Sequence, residues 1–298
     1  MQGMSDTPIV REQFPLVHRL RVRWAEVDAQ QVVFNGHYLT YLDVAISEYW
    51  RATALPYPDA WAALKGDIYA RGHQLAYNAP ARLDDWLDVG VRTARIGNSS
   101  ITVAWALWND HRLVTTGEAV YVHVDLASGR PAPVPASVRE QIAAHAQGQA
   151  VTRLRLGRWD TLQSAAMQVR APVFIEEQQV PAEEEIDADD PAALHAVVES
   201  LGGLPLATGR LITAGQAPGV ARIGRLAVIK SMRGAGVGRQ VLRALLSHAQ
   251  AHGVHTVHIH AQTAALPFYK AEGFQTEGQP FDEVGIPHIA MVWRAPSA

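Results

Sequence analysis

"EVDAQQVVFNGHYLTYLD", residues 26–43, sets one acid, Asp28, ahead of a short apolar run and the pair Asn35-Gly36. Asn-Gly between two alternating runs would close a hairpin. Beyond Gly36, however, the apolar residues fall at Tyr38, Tyr41, Leu42, Ala45, Ile46 and Tyr49, which is helical spacing. The stretch therefore reads as strand, loop and helix start, with a helix over 38–51. A carboxylate just ahead of a helix start lies beside unpaired backbone N–H groups and the positive end of the helix dipole. Such an arrangement can act on a carbonyl.

Working outward, strand patterns follow the helix. Leu87, Val89 and Val91 alternate with Asp88, Gly90 and Arg92; Ile101, Val103, Trp105 and Leu107 form the next set. A turn at Asn109-Asp110 leads into a third run, which places Val114, Val120, Val122 and Val124 on one face. Around "SGRPAPVPAS" (128–137) the alternation stops, and "VREQIAAHAQGQA" (138–150) reads as a short polar helix and a linker. These changes predict two domains, 1–148 and 149–298, the first a mostly antiparallel sheet with one long helix.

Composition restricts what the domains do. At 298 residues and 48% hydrophobic content, the chain is long enough for two cores. A formal charge of −3 offers no general attraction to nucleic acid or to an anionic membrane, so neither is expected as a partner. Without cysteine there is no disulfide, thiolate metal site or cysteine nucleophile. The opening "MQGMSDTPIVREQFPL" has no apolar leader core and no later run is long enough to span a bilayer, so a cytoplasmic protein is expected.

The second half reads as strand (151–157), helix (160–169), two strands around "ESLGGLPLATG", a strand (221–229), a Gly-rich loop and the amphipathic helix "GVGRQVLRALLSHAQAHG". "HTVHIHAQ", "ALPFYKAEG" and "HIAMVWR" add a strand, a short helix and a last strand, an α/β pattern. The loop "RGAGVG" (233–238) lies between strand and helix, where glycines permit tight turns and the helix start offers N–H groups to a phosphate. A P-loop would end in Gly-Lys-Ser/Thr, but Arg239 and Gln240 follow Gly238. A dinucleotide fingerprint fails too, because its sixth position is Arg239 and the next strand holds no acid.

What remains, Arg-x-x-Gly-x-Gly, resembles the pyrophosphate loop of the GNAT acyltransferase superfamily. "IGRLAVIKSMRGAGVGRQVL" (223–242) is similar to that family's fourth strand, loop and third helix, "FYKAEGF" (268–274) to its late FYxxxGF segment, and "VFIEEQQVP" (173–181) to an acceptor-side helix. The resemblance implies an α/β domain with a mixed sheet that binds acetyl-CoA or another acyl-CoA and transfers the acyl group to an amine without a metal. It places the diphosphate on the backbone of Arg233, Gly234, Ala235, Gly236, Val237, Gly238 and Arg239, and the pantetheine along Leu226 and Val228. The Val228 N–H would polarise the thioester carbonyl and Tyr269 would protonate the departing thiolate.

The base is open. His258 and His260 are two apart on one strand and face one side; either could deprotonate an amine, as could Glu176 or Glu177. No third ligand accompanies the two histidines, so metal is not expected. The run "PAEEEIDADD" (181–190) reads as a solvated acidic loop that could also attract a cationic acceptor.

"RVRWAEVDAQQVVFNGHYLTYLD" (21–43) resembles the front of the 4-hydroxybenzoyl-CoA thioesterase-like family, whose α+β hotdog domain wraps an antiparallel sheet around a long helix. The resemblance implies that Asp28 attacks the thioester or activates water, while an amide near Asn35 and Gly36 holds the carbonyl oxygen. Val32, Val33 and Phe34 would give the apolar cover a carboxylate nucleophile needs. Members often carry Gly where Gln31 stands, and one branch carries His where Asn35 stands; another puts a catalytic Glu on the central helix, which makes Glu48 or Asp43 a second candidate. The family assembles its sites across a dimer, so a homo-oligomer is implied. The whole reads as a bifunctional acyl-CoA enzyme, thioesterase fused to N-acetyltransferase, with a CoA-binding regulator that does not turn over as the alternative.

Overall fold

In the computed structural model, which describes residues 8–295, the apolar stripe that starts at Tyr38 becomes helix α1 (His37–Ala52). Tyr38, Tyr41, Leu42, Ala45, Ile46 and Tyr49 are all buried on it. Residues 1–7, part of the stretch expected to hold no leader, and 296–298 lie outside the described residues. The chain divides between Val151 and Thr152 into two units, each with its own sheet.

The first unit holds strands β1 (Leu16–Arg21), β2 (Gly66–Tyr77), β3 (Trp86–Ile96), β4 (Ser100–Asn109), β5 (Arg112–Asp125) and β6 (Arg130–Pro131), with short α2 (Asp59–Ala63) and closing α3 (Ala136–Ala146). All pairings are antiparallel in the order β1-β3-β4-β5-β2, with β6 beside β5. Leu87, Val89, Val91, Ile101, Val103 and Leu107 form the floor under α1 and are completely buried. Each such side chain contributes about 1.5–3 kcal/mol by leaving water. This is the hotdog arrangement of a curled antiparallel sheet around one long helix.

Two details differ from the alternation in the sequence. The pairing of β4 with β5 shifts beside Trp108, so that Leu113 faces Trp108 and Thr115 faces Leu107, with Val114 as the extra residue. That bulge reverses the parity: Thr115, Ala119 and Tyr121 are buried, while Val120 and Val122 are only half-buried. The run Val32 to Phe34 is not a strand. It makes a single bridge, Val27 to Val33, and the Val33 N–H donates to the Ala81 carbonyl at 2.9 Å.

The second unit holds β7 (Thr152–Gly157), α4 (Trp159–Arg170), a π-helical turn (Ala171–Glu177), α5 (Ala182–Glu185), β8 (Leu194–Ser200), β9 (Pro205–Ile212), β10 (Val220–Val228), α6 (Val237–Ala251), β11 (Thr256–Gln262), α7 (Leu266–Ala271), β12 (Gln275–Glu283) and β13 (Ile286–Arg294). The order is β12-β13-β11-β10-β9-β8-β7, antiparallel except for β10 with β11, so the sheet is mixed. Helix α6 presses on one face, where a Cβ on Gly209 would stand 2.9 Å from Val241 Cγ1. Helix α4 covers the other through Trp159, Leu162 and Ala166 against Val197. Among the described residues no helix is long and apolar enough to cross a membrane.

Candidate functional site

In the first unit, a buried carboxylate that the sequence did not single out shapes the Asp28 loop. Glu26 accepts the Arg23 N–H at 2.8 Å, the Arg23 guanidinium and the Tyr41 hydroxyl at 2.8 Å. Burial opposes its charge, but these hydrogen bonds outweigh it and hold the carboxyl below its ordinary range. The Glu26 carbonyl also accepts the Phe34 N–H at 2.9 Å, so both ends of the loop are tied to α1.

Between those ties, the Asp28 N–H donates to the Val32 carbonyl and Asp28 Oδ1 accepts the Gln30 N–H at 2.8 Å, while Oδ2 has no hydrogen-bond partner among the described residues. Asp28 and Asn35 line one cleft with Phe34, Tyr38, Tyr77 and Asn78. The Tyr77 hydroxyl donates to the Asn35 carbonyl at 3.1 Å, fixing the turn into α1. Gly36 is the N-cap of α1, and its N–H meets no acceptor among the described residues. Val32, Val33 and Phe34 all border the cleft, but Val33 belongs to the core and Phe34 is 52% exposed, so one chain alone does not sequester Asp28. Neither Asp43 nor Glu48 lines this cleft, and Glu48 is paired with Arg51.

Gln31 stands at φ +62°, the left-handed region where a side chain costs energy and glycine does not. Gln31→Gly is expected to stabilise the first unit by about 0.5–1 kcal/mol, net of glycine's larger loss of chain entropy. A denaturant midpoint that falls instead would refute this.

In the second unit the loop turns on Gly234 (φ +85°) and Gly236 (φ +83°). The N–H groups of Gly236, Val237, Gly238 and Arg239 have no acceptor among the described residues, an open anion cradle at the start of α6. Gly238 is required there, since a Cβ on it would stand 2.9 Å from Val228 Cγ2. The arginine side chains flanking the cradle are engaged elsewhere. Arg233 forks onto Glu177 with two contacts of 2.7 Å, and Arg239 pairs with Glu272 at 2.7 Å.

Beside the loop the sheet opens. Strands β10 and β11 pair only from Val220 to Arg222, although both continue beyond. The Ile229 N–H donates to the Leu206 carbonyl, and Val228 faces Ala207, so by alternation the Val228 N–H points away from β9 into the gap. A bulge holding Arg225 at φ +50° and Leu226 precedes it.

A cleft of about 220 Å³ lies in that gap, lined among others by Leu226, Phe268 and Tyr269. Tyr269 is 8% exposed between Phe268 and Phe274, and burial pushes its phenol up to about 12. Of the candidate bases, His260 lines the cleft, with Nδ1 3.1 Å from Glu283; His258, Glu176 and Glu177 do not. Glu177 is held below the ordinary carboxylate range by Arg233. His288, which the sequence did not single out, also lines the cleft.

The acidic run 181–190 is not a solvated loop. Glu185 and Asp190 are buried, and Arg170, itself buried, pairs with Glu185 and with Asp190 at 2.8 Å. Arg210 binds Asp187 and Asp190, and Arg225 binds Glu185 at 2.9 Å. The reason is stoichiometric: arginines on core positions of α4 and β9 need counter-charges, and this run supplies them. Arg170→Met is expected to cost about 3 kcal/mol, because the buried Glu185 and Asp190 lose the arginine they share and keep one cation each, Arg225 and Arg210. Urea denaturation reads this, and an unchanged midpoint would refute it.

The family model described as "Acetyltransferase (GNAT) domain" matches residues 175–295, and that described as "Thioesterase-like superfamily" matches residues 22–142. The Bacillus subtilis protein named uncharacterized N-acetyltransferase YjcF is 40% identical over 128 residues, 43% of this chain and 89% of that protein. The chain belongs to the GNAT acetyltransferase superfamily through its second half, and its first half resembles the thioesterase-like superfamily. Escherichia coli ElaA is similar in structure to the GNAT half, 26% identical with TM-score 0.44, covering 48% of this chain and 99% of its own. A Thermus thermophilus thioesterase solved with coenzyme A and Zn is 29% identical with TM-score 0.41, covering 46% of this chain and 97% of its own. In the GNAT domain, as in the thioesterase-like one, no group of three His, Asp or Glu among the described residues is placed to hold a metal ion.

Proposed function

We propose that the GNAT domain transfers an acyl group from CoA to an amine and that the thioesterase-like domain hydrolyses an acyl-CoA. The observation that carries the first part is the gap between β10 and β11: Val228, packed at Gly238 of the loop cradle, turns its N–H away from β9, and the buried Tyr269 lines the cleft there. The cradle binds the diphosphate of acetyl-CoA or another acyl-CoA, and the pantetheine follows Leu226 and Val228. Glu283 accepts from His260 Nδ1, which leaves the Nε2 lone pair to take a proton from the amine. The amine nitrogen then attacks the thioester carbonyl, whose oxygen gains charge beside the Val228 N–H. The C–S bond breaks and Tyr269 gives its proton to the sulfur.

In the thioesterase-like domain Asp28 Oδ2 attacks the thioester carbon or takes a proton from water, and the Gly36 N–H receives the carbonyl oxygen. The half-exposed Phe34 and Tyr77 at the cleft mouth support closure by a second copy, hence a homo-oligomer. A regulatory reading, binding without turnover, is favoured only for this domain, because Asp28 is incompletely covered in one chain and Gln31 strains its loop.

Titration calorimetry with CoA and acetyl-CoA, followed by thiol release from an acyl-CoA panel with and without amines, tests both parts. Heat on binding with amine-dependent and amine-independent release supports the bifunctional reading. Heat without any release supports the regulator, and no heat removes both.

A further inference from the structure

Within the GNAT domain, strands β9, β10 and β11 carry charges on the face covered by α4. Register puts Arg210 opposite Gly224 and Ile212 opposite Arg222, so all four share this face. Arg222 stands beside His258 on β11, and His260 follows on that same face. The cleft therefore has two unlike walls. Arg210, Arg222 and Arg225 line it from β9 and β10; His260, Glu283 and His288 line it from β11 to β13.

The arginine wall has unused donors. Arg210 is 3% exposed, and both its terminal nitrogens hold carboxylates, yet its Nε–H is buried without any partner among the described residues. A buried donor left unpaired costs about 1–3 kcal/mol, so its retention asks for an acceptor. That Nε lies 3.8 Å from where a Cβ on Gly224 would be, and Arg210 and Gly224 both border the cleft, so the missing side chain leaves the buried donor at the cleft wall with no side chain of residue 224 over it. Arg222 adds a second donor set: its side chain is 40% exposed and a single nitrogen engages Asp189. Glu283 puts negative charge on the opposite wall.

We propose that the acyl acceptor is zwitterionic, an amine that also bears a carboxylate, as a free amino acid does. The carboxylate sits against Arg210 Nε and the Arg222 guanidinium, and the amine faces His260 and Glu283. Charge-assisted donors of this kind give strength and direction to carboxylate recognition. The proposal rests on the transferase reading of this cleft and narrows it to one acceptor class.

The test uses the full chain with the common L-amino acids and their amides as matched pairs, measured by calorimetry with and without CoA and by thiol release from acetyl-CoA. At least one acid is expected to bind, and to react at low concentration, about tenfold better than its amide. Arg222→Gln should erase that preference by raising KM for the acid while leaving KM for acetyl-CoA unchanged, and Arg222→Lys should restore part of it. Amides equal to their acids throughout, heat from neither member of any pair, or an Arg222→Gln protein that keeps the preference each overturns the proposal. Failure of the transferase reading is separate: acetyl-CoA itself would give no heat, or heat without thiol release for any amine, while the pairs titrated without CoA would still decide the acceptor class.

Discussion

Tyr269→Phe is expected to lower amine-dependent thiol release by about 10²–10⁴-fold, the usual range for removing a positioned acid. The ring remains packed between Phe268 and Phe274, so the loss concerns one oxygen rather than the fold. KM for acetyl-CoA should change little, because the loop cradle is untouched. The pH profile supplies a second readout. Burial raises the phenol to about 12, so the folded protein keeps this proton where a free tyrosine would lose it. Being raised, the group supports folding below the unfolded value and loses that contribution as pH climbs through about 12. An alkaline limb assigned to Tyr269 should accordingly lie above pH ~10, the ordinary tyrosine value. A phenylalanine variant with wild-type turnover would remove Tyr269 from the chemistry.

Much of this architecture was legible because periodic burial leaves a mark on each residue. The Tyr38 stripe and the Leu87 and Ile101 alternations read directly, since helix and sheet each bury one face. Strand β2 did not, because it lies at the sheet edge with most residues exposed and carries no alternating apolar set. The bulge at Val114 was equally silent, as one inserted residue changes facing without changing composition. In the second half the glycine loop was visible through its spacing, whereas the splay of β10 from β11 is a property of pairing that no local pattern records.

Charged residues show the same division. Arg210 and Arg222 interrupt strands that are otherwise apolar, and that interruption is a signal for buried counter-charges; the nearest acid-rich run, 181–190, contains them. Read by composition alone, the run looks solvated. His260 was separable from His258 only once the cleft was known, since both occupy the same strand face. Glu26 was hidden for the opposite reason: one acid among ordinary residues says nothing until Arg23 and Tyr41 are seen to close around it.

Asp28→Asn is expected to reduce amine-independent thiol release by about 10³-fold while leaving amine-dependent release at the wild-type level. The substitution keeps the side chain's size and retains an oxygen for the Gln30 N–H, so the loop geometry need not change. What it removes is the negative oxygen that attacks the thioester or accepts water's proton, and an amide does neither. Binding of acyl-CoA should persist, because the Gly36 N–H and the Asn35 turn held by Tyr77 are unaltered. Tyr269→Phe should give the reverse pattern, and the two variants together assign each activity to its own domain. If Asp28→Asn abolished both activities, or spared both, the assignment of hydrolysis to this carboxylate would be wrong.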